Sequence, residues 1–485
     1  MKSSSPQFKI YLFAAFLYSF LFEMSFGQSY HAINGSPYAG VTSMYVNPAS
    51  TVNSAYKWDV NIFSGQLGVS NSLFTINDAS LRQFNTAYTE FTNGLRSRYF
   101  HANMDLSVLN ARFQINKKSA IAFGLRGRMF VNAKTMPFAY SDSISSLQSF
   151  LHANNKVDFM QGYLTNSGWA EFNLNYSRVL QETSSSRLSG GITMAYTRGL
   201  SGADFNMLHL TYAEQATANG NFYPITGGSA QAAYSYNYSL LDANRSVLSN
   251  TKTFVKNTLS AINFSIGFEY LFRKNLPFDD ETITPENYDW KIGVSIMDIG
   301  KNRYEPAGGS FNASMPQTTA IDTTLQLQLA NATTLTEVRN TLSNYFNKVD
   351  NLRTAFAIAN PTRIVINVDR NFGNHFFVNG ELSVNVFSTE PWMKLRTREI
   401  NLLTITPRWE TANLGAYLPI QYNTQGQLWI GGALKLGPLL LGVHSLDFYK
   451  WFKKGTQTLN GGFYIMLNVH PFRKKENDGI DCPKY

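Results

Sequence analysis

Seven histidines, His31, His101, His152, His209, His375, His444 and His470, are the first residues to test for chemistry. No two stand at the close spacing of metal ligands, and no HExxH, GxSxG or Walker-type loop occurs. A lipase-like Ser–His pair could in principle use His209 or His375; the plainer reading makes each a polar wall or interfacial residue. The single cysteine, Cys482, excludes an intrachain disulfide and a cysteine metal cluster. Catalytic, cofactor-binding and metal sites are therefore not expected. A second set is more informative. Arg126, Arg128, Glu171, Glu269, Asp289, Lys291, Glu381 and Lys435 alternate with apolar residues. Charges of both signs on one face can hold a plug by ion pairing, tune a path, or simply fill a solvated interior.

The elements that carry these charges must come from an unusual composition. Of 485 residues, 44% are hydrophobic, 14% aromatic and only 15% charged, against about 25% charged in soluble domains. Mean hydropathy is −0.20, too low for a polytopic helical membrane protein. The mixture also excludes disorder and a coiled coil. Net charge is 41 − 32 = +9. The basic residues are dispersed, with Arg473-Lys474-Lys475 the densest run, so a nucleic-acid partner is not expected.

Alternation with period two dominates the chain. Ile262, Phe264, Ile266, Phe268 and Tyr270 are separated by Asn263, Ser265, Gly267 and Glu269. Ala170 to Ser177, Tyr288 to Ile296, Ala232 to Leu240 and Phe376 to Val386 repeat the pattern. A strand sorts such residues onto two faces and a helix cannot. Segments of about ten residues span a bilayer when tilted, and closure pairs every backbone group. The predicted fold is all-β: a transmembrane antiparallel barrel, with a soluble sandwich or propeller as the alternative. Candidate strands lie near 56–64, 104–115, 119–131, 169–179, 188–199, 203–212, 231–240, 261–272, 288–297, 362–370, 375–387, 400–409, 411–420, 427–436, 438–446 and 460–469. That is sixteen, within a range of 12–16. Pairs such as Tyr56 and Trp58, Tyr288 and Trp290, and Tyr449 and Trp451 are placed for interfacial girdles.

Connections near 116–118, 371–374, 410 and 437 are short and read as periplasmic; those near 132–168, 298–361, 388–399 and 447–459 read as extracellular. The longest holds a helical pattern at Val338, Leu342, Tyr345, Phe346 and Val349, with capping-box spacing at Thr334 and Glu337. It could cap the mouth or move freely. A second helical pattern is Leu81, Phe84, Tyr88 and Phe91.

Lys2, Lys9 and the apolar run Ile10 to Phe22 read as an export signal over 1–27, with an anchor helix as the alternative. Its removal leaves 39 − 31 = +8. The expected organisation is a signal (1–27), an N-terminal segment (28–55), the barrel (56–470) and a polar tail (471–485), in the outer membrane of a Gram-negative bacterium.

Residues 30–49, YHAINGSPYAGVTSMYVNPA, resemble the N-terminal region of FadL-type outer-membrane barrels. The resemblance implies that Gly40, Asn47, Pro48 and Ala49 lie in a hatch that plugs the lumen; locally, Asn-Pro also reads as a turn initiator. The whole chain resembles a Bacteroidota family of outer-membrane barrels whose relatives include type IX secretion barrels. That resemblance implies about 14 strands. The FadL resemblance implies passive transport of a hydrophobic small molecule; the alternative is a structural or adaptor barrel for secretion or surface proteins, and either sits in outer-membrane lipid. The hatch candidates and the lumen candidates Arg126, Arg128, Glu269, Lys291 and Glu381 are the residues to locate. The tail resembles the start of Asp-rich calcium-binding linkers at Asp478, Asp481, Cys482 and Pro483, but one unit cannot supply calcium's oxygen shell.

Overall fold

A computed structural model describes residues 31–78, 80, 88–217, 220–240, 246–273, 287–317, 320–321, 323–332, 334–387, 395–456 and 458–471. The export signal, Leu81, Phe84 and the tail residues Asp478, Asp481, Cys482 and Pro483 lie outside the described residues.

Fourteen antiparallel strands close into a barrel. They are β1 (Trp58–Asn71), β2 (Tyr99–Asn116), β3 (Ser119–Thr135), β4 (Met160–Glu182), β5 (Ser186–Tyr212), β6 (Ser260–Phe272) and β7 (Trp290–Ile299). Then follow β8 (Arg363–Asn371), β9 (Phe376–Asn385), β10 (Leu402–Glu410), β11 (Leu414–Tyr417 with Ile420–Asn423), β12 (Leu428–Ile430 with Gly432–Leu436), β13 (Leu439–Val443) and β14 (Gly461–Val469). Each pairs with the next, and β14 pairs back onto β1 from Val60↔Val469 to Val69↔Gly461. Pro419, which has no N–H to give, interrupts β11; Gly431 of the next strand donates to its carbonyl at 2.8 Å.

The count corrects the sixteen candidates by two. Residues 203–212 continue 188–199 as one 27-residue strand. Residues 231–240 divide between a strand, Gly220–Tyr234, and a 3-10 turn, Tyr236–Leu240. Neither makes a new barrel stave, because β6 pairs with β5 only as far as Arg198. Beyond that, β5 pairs with Gly220–Tyr234, which pairs with Phe311–Pro316, which pairs with Phe346–Asn351. This branch stands above the rim on the long-loop side. Helices Leu147–Ala153, Thr323–Asn331 and Leu335–Leu342 cover it around Leu151, Met160, Tyr223, Ile225, Phe311 and Phe346.

Faces follow the alternation. Phe264, Ile266 and Phe268 are 40–49% exposed, while Asn263, Ser265 and Glu269 are at most 7% exposed. An apolar exterior around a polar interior is the membrane-barrel arrangement, so the protein is a transmembrane β-barrel. Short connections at 117–118, 183–185, 411–413 and 437–438 share one end with Trp58 and Val469.

Three local expectations need correction. The pattern at Val338–Val349 is helical only to Leu342; Phe346–Asn351 is a strand. Asn344, Asn347, Asp350 and Asn351 are weak helix formers, and the branch sheet supplies a partner. Thr334 does cap the helix, accepting from the Glu337 N–H at 3.3 Å. Tyr88–Phe91 is likewise a strand. Of the three aromatic pairs, Trp58, Trp290 and Tyr449 are exposed, but Tyr56, Tyr288 and Trp451 are buried. Residues two apart share a face only inside a strand, whereas Tyr56 and Tyr288 precede their strands and Tyr449 and Trp451 lie in the 3-10 turn Leu446–Phe452.

Candidate functional site: the occupied lumen

A fourteen-strand barrel encloses more space than its own inward side chains fill. Residues 31–56 occupy that space, and none of them is exposed. The segment has two 3-10 helices, Gly40–Tyr45 and Pro48–Asn53. Asn47 caps the second, accepting from the Ala49 N–H at 3.0 Å, so its turn-forming reading holds locally. It also binds the wall: its Nδ2 donates to the Phe268 carbonyl at 2.9 Å. Gly40 has φ of +59°, and a Cβ there would meet the Asp59 carboxylate at 2.4 Å. The next N–H, from Val41, donates to that carboxylate at 2.5 Å.

Polar bonds tie the segment around the wall. His31 Nδ1 and Asn34 Nδ2 reach Glu381 at 3.0 and 2.9 Å. Ser36 donates to Glu410 at 2.8 Å, and Tyr45 to Asn110 at 2.9 Å. Ser50 and Asn53 donate to Glu269 at 2.5 and 2.9 Å. Thr51 donates to Asn175 at 2.7 Å. Ser295 donates to the Val46 carbonyl at 2.7 Å. Ala32, Ile33 and Ala39 pack on Tyr417, Ala433, Leu440, Tyr464 and Met466, closing the circuit over β11–β14.

Five buried arginines, Arg112, Arg126, Arg128, Arg363 and Arg408, are paired with carboxylates on the wall. Arg112 pairs with Asp59 at 2.6 Å and donates to the Thr51 and Tyr56 carbonyls. Arg408 forks onto Asp369 at 2.6 and 2.8 Å and reaches Glu410 at 2.6 Å. Arg126 pairs with Asp105 and lies 4.2 Å from the Tyr45 ring. Beside it, Arg128 binds Asp298 at 2.6 Å, and Asp298 also binds Arg363, which pairs with Glu399. Glu399 belongs to residues 395–401, whose Arg398 N–H and carbonyl bond to Asn132 on the far wall. That segment and the strand pair Lys301–Tyr304 with Phe356–Ala359 close the long-loop side. Tyr304 there is buried against Gly202 and Gly199.

The structure brings Gly40, Asn47, Pro48 and Ala49 to the lumen, and Arg126, Arg128, Glu269, Lys291 and Glu381 to the facing wall. Lys291 lines a cleft of ≈ 20 Å³ with Glu269, Asn367, Asn34 and Ser43, room for a water molecule or two. Glu171 is on the same wall, 3.7 Å from Arg126. Lys435 reaches the Thr411 carbonyl at 3.4 Å. Asp289 does not face the lumen; it precedes β7, half-exposed, 3.9 Å from Arg370. His209 is exposed, stacked on Phe159 at 4.5 Å, and His375 lies in a short turn.

Sequence reasoning missed Asp59, Arg112, Asp369, Arg408 and Glu410, although Asp59, Arg112 and Arg408 each stand between two apolar residues. It also missed Gly191, Gly267 and Gly293. A Cβ on these would meet the Pro48 carbonyl at 2.3 Å, Asn47 Oδ1 at 2.1 Å and Asn47 Nδ2 at 2.7 Å. Glycine inside a strand signals a close approach, and this signal was available.

The sequence model described as "Family of unknown function (DUF5723)" matches residues 48–443. No curated protein matches the chain. Among solved structures, a FadL homologue of Pseudomonas aeruginosa is 10% identical, with 92% of this chain and 100% of that one covered at a TM-score of 0.41. The Pseudomonas putida toluene transporter TodX is 10% identical, with 90% and 95% covered at a TM-score of 0.38.

Proposed function

Because the chain belongs to the Family of unknown function (DUF5723), whose name assigns no activity, we propose a role from the geometry: a gated outer-membrane barrel of a Gram-negative bacterium that passes small hydrophobic molecules, with residues 31–55 as its hatch. One observation carries the reading. The lumen is filled by a single segment held mainly through side-chain hydrogen bonds, to Glu381, Glu410, Glu269, Asn110 and Asn175. Bonds of this kind exchange with water at modest net cost, about 0.5–1.5 kcal/mol for a neutral partner and about 1.5–3 kcal/mol for a carboxylate. A segment so held can leave its seat without unfolding the wall.

The test is deletion of residues 31–49, which removes no stave. The shortened barrel is expected to keep heat-modifiable gel mobility, to conduct more in planar bilayers, and to take up a hydrophobic probe at an altered rate in liposomes. A folded deletion protein matching the intact one in both conductance and uptake would sink the hatch. A second reading, an adaptor barrel for surface assembly, is favoured by the structured branch and its exposed Met315 and Leu327. Increased conductance with unchanged probe uptake would favour it.

A further inference from the structure

His31 opens the described part of the lumenal segment, and His444 lies just past the end of β13. Their ring centres stand 6.1 Å apart at an interplanar angle of 72°. Because β13 starts at the short connection 437–438, its far end and His444 lie on the long-loop side. Both side chains are buried, at 3% and 0% exposure. His444 is fixed by its own backbone N–H, which donates to the Gly462 carbonyl at 2.9 Å. Its ring also packs on Tyr464 of β14, with 5.0 Å between centres.

Neither ring nitrogen of His444 has a hydrogen-bond partner among the described residues. His31 engages Glu381 of β9 through Nδ1 at 3.0 Å and leaves Nε2 without a partner. The titratable groups around His444 are thus His31 on the lumenal segment, Tyr464 on β14 and, behind His31, Glu381 on β9. No carboxylate accepts from His444. An imidazolium in that seat would hold two N–H donors with no acceptor, out of water and against a second imidazole. Burial first, and His31 second, hold the ring well below its ordinary 6.5. Once the segment leaves, His444 faces lumenal water and titrates near about 6.5.

We propose that His31 and His444 form an acid-triggered release for the start of the lumenal segment: protonation of His444 drives residues 31–39 off the wall of β9 to β14. The seated state disfavours the proton and the released state accepts it. The advantage of the seated state is therefore whole above about 6.5 and shrinks as pH falls below it, by about tenfold per pH unit for one proton. Histidine is the side chain whose ordinary titration falls in this range. The effect on the path through the barrel rests on the hatch reading; the release itself does not.

The experiment uses the full chain in detergent. Amide exchange of residues 31–39 is followed from about pH 7.5 to about pH 5 and corrected for intrinsic exchange. Protection there is expected to fall by at least about tenfold below about pH 6.5, with the wall strands unchanged. His444→Phe keeps an aromatic ring in the space and takes no proton, so it is expected to flatten the response. Native protection that holds to about pH 5 overturns the proposal, and so does the same acid loss in His444→Phe. Should His444→Phe fail to assemble, the midpoint in the native chain decides. A midpoint near about 6 supports the release, and one near about 4, where ordinary carboxylates titrate, assigns it to Glu381, Glu410 and Glu269 and refutes it. Conductance over the same pH series tests the hatch separately, since release of the segment with no rise in conductance would sink the hatch and leave the switch standing.

Discussion

Asn47 and Pro48 sit against three wall positions that carry no side chain. Gly191 is the least forgiving: a Cβ there would lie 2.3 Å from the Pro48 carbonyl oxygen and 2.6 Å from the Ala49 nitrogen. Both are backbone atoms, so no rotamer change relieves the clash. Gly191→Val keeps the ladder of β5, since valine suits a strand, and should push the segment off its seat. The expected result is a barrel with normal heat-modifiable mobility and raised single-channel conductance. Native conductance from a folded Gly191→Val protein would show that the segment does not block the path. At this scale the sequence was partly legible. Gly40, Asn47 and Pro48 were picked out, but their partners were not, because a glycine in a strand does not say what approaches it.

Strands carry two further expectations. On β6, Ile266 is outward and 40% exposed between Phe264 and Phe268. Ile266→Arg should lower stability by about 2–4 kcal/mol if it lies near the bilayer midplane. The inward neighbour Ser265 is not the mild control that an open, solvated lumen would make it. It is 7% exposed and accepts from the Asp298 N–H at 3.0 Å. Leu95, 69% exposed off the barrel, is the better control, and Leu95→Arg should stay within about 0.5 kcal/mol. Equal losses in a refolding titration would refute the outward assignment. In the branch above the rim, Glu214 accepts from Asn155 at 2.5 Å, Asn221 at 2.6 Å, His152 at 2.7 Å and Tyr223 at 3.1 Å. The bonds from Asn155 and His152 chiefly hold its carboxyl at about 2, below its ordinary 4.5. A depressed carboxyl stabilises the fold above its ordinary value, and that contribution is lost as pH falls toward the folded one. The branch should therefore exchange its amides faster as pH drops from about 4.5 to about 2 once intrinsic exchange is corrected for, and Glu214→Gln should abolish that extra dependence. A pH response unchanged by the substitution would count against the clasp.

For the whole molecule, closure is the condition for everything else. β14 pairs with both β13 and β1, and without it two edges would face hydrocarbon with unpaired backbone groups. A chain ending at residue 459 is expected to show no heat-modifiable band, whereas one ending at residue 471 should show it; a stable barrel from the shorter chain would overturn the seam. The sequence determined the barrel and its faces, because period two is a local quantity that survives in one dimension. It overcounted the staves because β5 is continuous to Tyr212 while its neighbour β6 stops, and only pairing reveals where a strand leaves the wall. It singled out Arg126, Arg128, Glu269, Lys291 and Glu381 as inward charges but not their partners. Ion pairs such as Arg128 with Asp298, 170 positions away, and the meeting of His31 with His444 depend on strand register and on the path of residues 31–56 through the lumen. Those are set by packing in three dimensions, where residues remote in sequence become neighbours, and spacing along the chain carries no record of it.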